Sequence, residues 1–293
     1  MAHVAIIGPG AIGCVLAAWL ARSGRHRVTL CARTPIEAGL RVETPDGVLV
    51  SQPEVVTHPE RLSPADWAFV ATKAYDAEAA AAWFPRLGPS VPVAIVQNGV
   101  EHRARFAPWL AAERCVPVMV HIPAERDAPG RVRQRGPAEL VVADDAHGRA
   151  LAELFAGTRV SVACTADLTS VLWRKLCLNA AGAVPALVLE PAGVLRDEAW
   201  GEVARALVRE CIAVGRAEGA VLEDELVERV LDAYRSGPPD AVNSLHADRL
   251  AGRPMEVDAR NGAIVRLGRK HGLPTPCNQM VVALLEHAQR ARR

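Results

Sequence analysis

Lys175 and Asn179 lie four residues apart in Trp173-Arg174-Lys175-Leu176-Cys177-Leu178-Asn179, so on a helix they share one face. Trp173, Leu176 and Leu178 point elsewhere and can bury. An unperturbed lysine, with a pKa of about 10.4, is protonated at neutral pH. It can hydrogen-bond a ketone oxygen and give it a proton as that oxygen becomes an alkoxide. The same spacing also fits a lysine that snorkels from a surface helix, and spacing alone does not separate the two readings.

Gly8-Pro9-Gly10-Ala11-Ile12-Gly13 points to phosphate binding by the backbone. This Gly-x-Gly-x-x-Gly turn follows the apolar Val4-Ala5-Ile6-Ile7 and opens a helical pattern over 11–23 that stops at Gly24. A second apolar strand, 28–32, comes next, and that setting gives the fingerprint its physical meaning. Gly8 permits the tight turn, Gly10 lets a pyrophosphate approach, and Gly13 lets helix and strand pack closely. The helix then presents its partial positive charge to the phosphates. An NAD site usually carries Asp or Glu after the second strand, but here the residues are Cys31-Ala32-Arg33-Thr34. Arg33 can fork onto a 2′-phosphate, which favours NADP(H); a surface pair with Glu37 is its other use.

A third group is Asn243-Ser244, with Met255-Glu256-Val257-Asp258 and Asn261-Gly262. Ser244 can cap a helix. Glu256 and Arg260 are spaced i,i+4 and fit a solvated ion pair. Glu256 gains a chemical role only if it meets Lys175 or a cofactor ribose.

The elements that must position these residues fall into two blocks. Apolar strands are expected over 66–72, ending at Lys73, and over 92–96, ending at Gln97-Asn98-Gly99. Shorter strands over 115–121 and 140–143 complete the set, and 40–50 reads as a hairpin around Pro45-Asp46-Gly47. A helical pattern covers 76–83. Strands alternating with helices predict an α/β, Rossmann-type doubly wound sheet, whose ligands sit outside the carboxyl ends of the strands. Lys73 and Asn98 fall at such ends. From residue 166 the pattern is helical, with apolar spacing over 203–214, 222–234 and 255–270 and breaks near 182–191, 215–219, 236–240 and 272–276. The expected domains are 1–165, binding NADP(H), and 166–293, all-helical and carrying substrate and catalysis.

At 293 residues the chain is long for one core. A net charge of +1 leaves no electrostatic footprint for nucleic acid or an anionic membrane. The basic end, 290–293, suits the dipole of a last helix. No apolar run of spanning length and no secretory signal is expected, and the seven scattered cysteines read as buried thiols in a reducing cytoplasm, with no metal set.

Together with the glycine turn, several motifs make the chain resemble the ketopantoate reductase (2-dehydropantoate 2-reductase) family over nearly its whole length. They are Thr72-Lys73-Ala74, Gln97-Asn98-Gly99, Pro129-Gly130-Arg131-Val132 with Gly136, and Trp173-Arg174-Lys175-Leu176 with Asn179. Ser244, Arg253-Pro254-Met255-Glu256-Val257-Asp258 with Asn261-Gly262, and Thr275-Pro276-Cys277-Asn278 complete them. The resemblance implies an NADPH-dependent reductase of pantothenate biosynthesis that transfers hydride to a 2-oxo acid or related ketone. It implies that Lys175 is the general acid, that Glu256 orients Lys175 and the nicotinamide ribose, and that Arg33 takes the 2′-phosphate. Lys73, Asn98, Asn179 and Ser244 would line the cofactor and substrate cleft, with Ser244 binding a carboxylate. A homodimer is the expected assembly.

Three departures stand out. Ala183, Ala192 and Ala241 occupy positions where the family usually has asparagines that hold the substrate's carboxylate and hydroxyl. Three lost contacts, each roughly 0.5–1.5 kcal/mol, would weaken ketopantoate binding tens-fold or more. The expectation is a substrate other than ketopantoate, with Asn243 a possible replacement donor. Two alternatives are another two-domain hydroxyacid dehydrogenase, such as a β-hydroxyacid dehydrogenase, and a non-catalytic NADP(H)-binding sensor. Gln97-Asn98-Gly99 and Glu256 argue against the first, and intact Lys175 and Glu256 against the second.

Overall fold

A computed structural model describes residues 1–291 and divides them into two compact units. Unit 1 is 1–97 with 102–168; unit 2 is 169–291 together with the short segment 98–101. Arg292 and Arg293 of the basic end lie outside the described residues.

In unit 1, β1 (His3–Ile7), α1 (Ala11–Arg22) and β2 (Arg27–Cys31) form the expected opening. The hairpin is β3 (Leu40–Thr44) and β4 (Gly47–Ser51), followed by β5 (Glu54–Val56) and β6 (Trp67–Val70). After α2 (Ala77–Ala81) come β7 (Val93–Ile95), α3 (His102–Phe106), β8 (Cys115–Pro117) and β9 (Met119–His121). The unit closes with β10 (Ala124–Ala128), β11 (Arg131–Gln134), β12 (Ala138–Ala143), α4 (Ala146–Leu154) and β13 (Val160–Thr165).

The main sheet is wholly parallel, in the order β5-β2-β1-β6-β7-β8. That is the Rossmann order, with the strand sequence reversing beside β1. β1 is buried on both faces: Val4 and Ile6 join one core, Ala5 and Ile7 the other. The hairpin is antiparallel as expected, but it belongs to a second sheet, β10-β11-β3-β4, which packs on α1. Covered by both sheets, α1 buries every residue from Gly13 to Leu20. The expected strands at 119–121 and 140–143 do not extend the parallel sheet. They form a third one, β13-β12-β9, in which β12 pairs with β13 in parallel and with β9 antiparallel.

Unit 2 is helical. α5 (Leu168–Ala181) and α6 (Ala183–Val188) meet at Gly182 and are followed by α7 (Glu198–Ala217), α8 (Leu226–Ser236) and α9 (Ser244–Leu250). α10 (Ala263–Lys270) and α11 (Pro276–Arg290) finish it. α5 buries Trp173, Leu176, Cys177, Ala180 and Ala181, a stripe at three and four spacing that leaves Lys175 and Asn179 half-buried.

Three expectations need correction here. The pattern over 255–270 is not one helix: a π-helical turn, Asp258–Gly262, precedes α10, with the Gly262 amide donating to Val257 O at 2.9 Å. The 21 helical residues Leu168–Val188 do reach spanning length and hydropathy, but 61% of the apolar window is buried in the protein, as a core helix requires. The cysteines are not all buried, since Cys164 is exposed and Cys277 half-buried.

Candidate active site

The glycine turn of unit 1 is shaped by backbone alone. Gly8 has φ +90°, and a β-carbon on it would meet the Thr72 amide nitrogen at 2.8 Å. A β-carbon on Gly13 would collide with the Gly8 carbonyl oxygen. One on Gly10 would meet only the Ala71 carbonyl, at 4.0 Å, so there the backbone is open to a ligand. No side chain caps the amino terminus of α1, which leaves its first-turn amides for an anion. These features fit a dinucleotide pyrophosphate.

Arg33 follows the carboxyl end of β2 with its side chain 84% exposed. Its partner is Asp76, at 3.7 Å, and not Glu37 as expected from spacing. Such a long, exposed pair is worth little and leaves the guanidinium able to take an anion. Lys73 lies just past β6, and Gln97 just past β7. Gln97 Nε2 donates to Thr72 Oγ1 (3.1 Å) and Lys73 O (3.3 Å), which ties the two strand ends together. The Gln97 carbonyl accepts from His102 Nε2 at 2.9 Å. His102 is fully buried, and burial pushes its pKa down to about 4, so its ring is neutral. Nothing in the spacing of His102 announced this role.

In unit 2, Asn98 Nδ2 donates to Glu256 Oε2 at 3.3 Å, joining two of the expected site residues that are far apart in sequence. The segment 98–101 is held by Glu101, which takes two hydrogen bonds from Arg266 (2.6 and 3.1 Å). Gly99, at φ +105°, makes the turn between them. Glu256 and Arg260 are both buried, so they are not the solvated i,i+4 pair expected from their spacing. The π-helical turn instead aims Arg260 and Asn261 at the end of α5, and Glu256 faces Asn98.

That end of α5 is finished by side chains drawn from three other segments. Tyr234 Oη donates to Leu178 O (3.0 Å) and Arg260 Nη2 to Asn179 O (2.5 Å). Asn261 Nδ2 reaches Ala180 O (3.5 Å), and Asn243 Nδ2 donates to Gly182 O (2.8 Å). These bonds add to the helix's own at its last turn, where Leu178 O also accepts from the Gly182 amide (3.1 Å). A β-carbon at residue 182 would strike the Tyr234 hydroxyl and crowd Arg260 and Asn243. Asn261 also donates to Asn278 Oδ1 (2.9 Å), and Asn278 donates to Glu210 (2.6 Å). Glu210 accepts the Cys277 and Asn278 amides as well, which caps α11 from α7. So Asn261, Gly262 and Asn278 are scaffold for the helix carrying Lys175. Arg260 and Tyr234, also part of it, carry no motif that would have revealed them.

Ser244 is not the cap of α9. Asn243 Oδ1 accepts from Leu245 N and His246 N, and Ser244 is the exposed first residue of the helix. The Asn243 amide thus ties the start of α9 to the Gly182 carbonyl. Of the three alanines, Ala183 is buried, while Ala192 and Ala241 are neighbours through an amide-to-carbonyl bond of 2.9 Å.

Comparison with known proteins agrees with these features. Residues 4–146 match the family model for ketopantoate reductase PanE/ApbA, and residues 167–289 match its C-terminal counterpart. The chain is 55% identical to the 2-dehydropantoate 2-reductase of Caulobacter vibrioides, over 98% of this chain and 99% of that one. It is 39% identical to the Mycobacterium tuberculosis enzyme of the same name, over 97% of each. The crystal structure of a PanE/ApbA family ketopantoate reductase from Ralstonia eutropha superposes with a TM-score of 0.91 at 35% identity, covering 99% of both chains. With a Rossmann strand order, an open glycine turn and both family models matched, the chain belongs to the ketopantoate reductase family.

Proposed function

We propose that this protein uses NADPH to reduce the ketone of a 2-oxo acid to the 2-hydroxy acid, with Lys175 as the general acid. The observation that carries this reading is the hydrogen bond from Asn98 to the buried Glu256 carboxylate, on the unit that also presents Lys175. NADPH supplies the hydride when bound. Gly8 through Gly13 bind its pyrophosphate through the amides of α1, Arg33 takes its 2′-phosphate, and Lys73 and Asn98 contact it from the strand ends. Lys175 holds the carbonyl oxygen by a hydrogen bond and passes a proton to it as negative charge develops. Glu256 orients Lys175 and the ribose, Asn98 and Asn179 orient the substrate, and Ser244 lies beside its carboxylate. Unit 1 serves as the cofactor domain and unit 2 as the catalytic one.

The near-full-length likeness to proteins named 2-dehydropantoate 2-reductase makes 2-dehydropantoate the first substrate to assay. The three alanines predict instead that another 2-oxo acid is turned over better. NADPH oxidation across a panel of 2-oxo acids decides between them: micromolar KM for 2-dehydropantoate with fast turnover removes the altered-pocket reading. NADPH binding without turnover of any ketone removes the enzyme reading and leaves a sensor. Cytoplasmic location and homodimerisation belong to the same proposal and are checked by fractionation and sedimentation.

A further inference from the structure

Arg266, on α10, grips two segments of unit 2 at once and lies outside every motif that marked the site in the sequence. Its Nε and Nη2 donate to the two carboxylate oxygens of Glu101, at 3.1 and 2.6 Å, as a fork-to-fork pair. Its Nη1 donates to Asp258 Oδ1 at 2.7 Å. Glu101 is three residues beyond Asn98, and Asp258 is two beyond Glu256. Arg266 therefore brackets the Asn98–Glu256 hydrogen bond, holding the chain that carries each partner. The Glu101 side chain is only 15% exposed, so this pair is screened less than an ordinary surface one; Asp258 is 75% exposed and adds less. Glu101 first, and Asp258 after it, push the Arg266 pKa further above its ordinary value, against a smaller opposing effect of burial. Val100, in the same segment, packs against the helical core. An apolar contact keeps the segment down without fixing its direction. With Gly99 at φ +105° next to Asn98, the direction of the Asn98 amide needs an oriented tie, which the Arg266 fork supplies.

We propose that Arg266 is a positioning residue for the reduction: by joining Glu101 to Asp258 it sets the Asn98 amide against the Glu256 carboxylate. The inference rests on the reading of Asn98 and Glu256 as site residues given above, and adds what fixes them in place. Arg266 acts on the reaction only through these two residues, so its loss should matter only while Asn98 is present to be positioned.

The test is a double-mutant cycle on kcat/KM for the 2-oxo acid turned over best, using wild type, Asn98→Ala, Arg266→Gln and the two combined, each checked for folding by its thermal melt. Arg266→Gln should lower kcat/KM about tenfold or more in the wild-type background, and less than about twofold when Asn98→Ala is already present. Losses that multiply in a folded double variant would show that Arg266 only stabilises the helices, and would overturn the proposal, as would an unchanged rate in the single variant. Arg266→Lys keeps the charge but loses the fork, so it should fall between and serves if the glutamine variant does not fold. Hydrogen exchange gives a readout without turnover: Arg266→Gln should speed exchange over 98–101 about tenfold and leave α11 as in the wild type. Unchanged exchange over 98–101 would also overturn the proposal. If the wild type reduces no ketone, the catalytic reading fails by itself, and the bracket around Asn98 and Glu256 stands or falls by the exchange result.

Discussion

The two ends of this chemistry are built in opposite ways. The glycine turn of unit 1 is a backbone site: Gly8, Gly10 and Gly13 act by what they lack, within six consecutive residues. The acid–base site proposed for unit 2 is a side-chain site, drawn from 98, 175–182, 243–244 and 256–261 and supported by Glu210 and Asn278. A backbone site needs only local conformation, whereas a side-chain site needs its supporting shell to be right. Substitutions should therefore act locally and sterically in the first, and cooperatively in the second.

The largest expected effect is at Lys175. Lys175→Ala should lower kcat by roughly 10²–10⁴ while the NADPH dissociation constant stays near wild type. Full activity in that variant would break the comparison, because the side-chain site would then not be where protons move.

Next is the buried His102, whose pKa of about 4 in the folded protein compares with an ordinary 6.5. Between these values the unfolded chain takes up a proton that the folded chain refuses, so stability falls as pH drops from 6.5 to 4 and is unaffected above 6.5. The loss should approach about 3 kcal/mol at the acid end of that window. His102→Gln should flatten this part of the pH profile of thermal melting; an unchanged profile would mean that the ring does not titrate there.

Gly13→Ala places a β-carbon against the Gly8 carbonyl and should cost about 1–3 kcal/mol in stability, with weaker NADPH binding. Gly10→Ala meets no such obstacle in the free protein and should lose NADPH affinity with little change in melting temperature. Equal melting temperatures and equal affinities for the two variants would erase the distinction between packing glycine and ligand-facing glycine.

The smallest expected effect is at Arg33. Arg33→Ala should raise the KM for NADPH about tenfold, a change of ~1.4 kcal/mol, and leave that for NADH nearly unchanged. Parallel changes for both cofactors would remove Arg33 from 2′-phosphate recognition and narrow the backbone site to the pyrophosphate.

How much could be read in advance follows the same division. β1, the glycine turn, α1 and β2 are legible because apolar runs and glycine spacing act on near neighbours. The strand ends at Lys73 and Gln97 were legible for the same reason. The second and third sheets were not, since β11 pairs with β3 across ninety residues and no local pattern encodes that partner. In unit 2 the helices were visible by period, but the π-helical turn was not, because one extra residue in a turn leaves the apolar spacing almost unchanged. That turn is why Glu256 and Arg260, spaced as a surface pair, are both buried and face different partners.

By itself the sequence determined the cofactor turn, the helix face shared by Lys175 and Asn179, and the family to which the motifs belong. Those rest on interactions within a few residues, whose geometry the local backbone supplies. Only the tertiary structure decided that Asn98 meets Glu256, that Asn243 and not Ser244 caps α9, and that a guanidinium is buried beside Asn179. These depend on which distant segments are brought together as the chain excludes water, and that is a property of the packed whole.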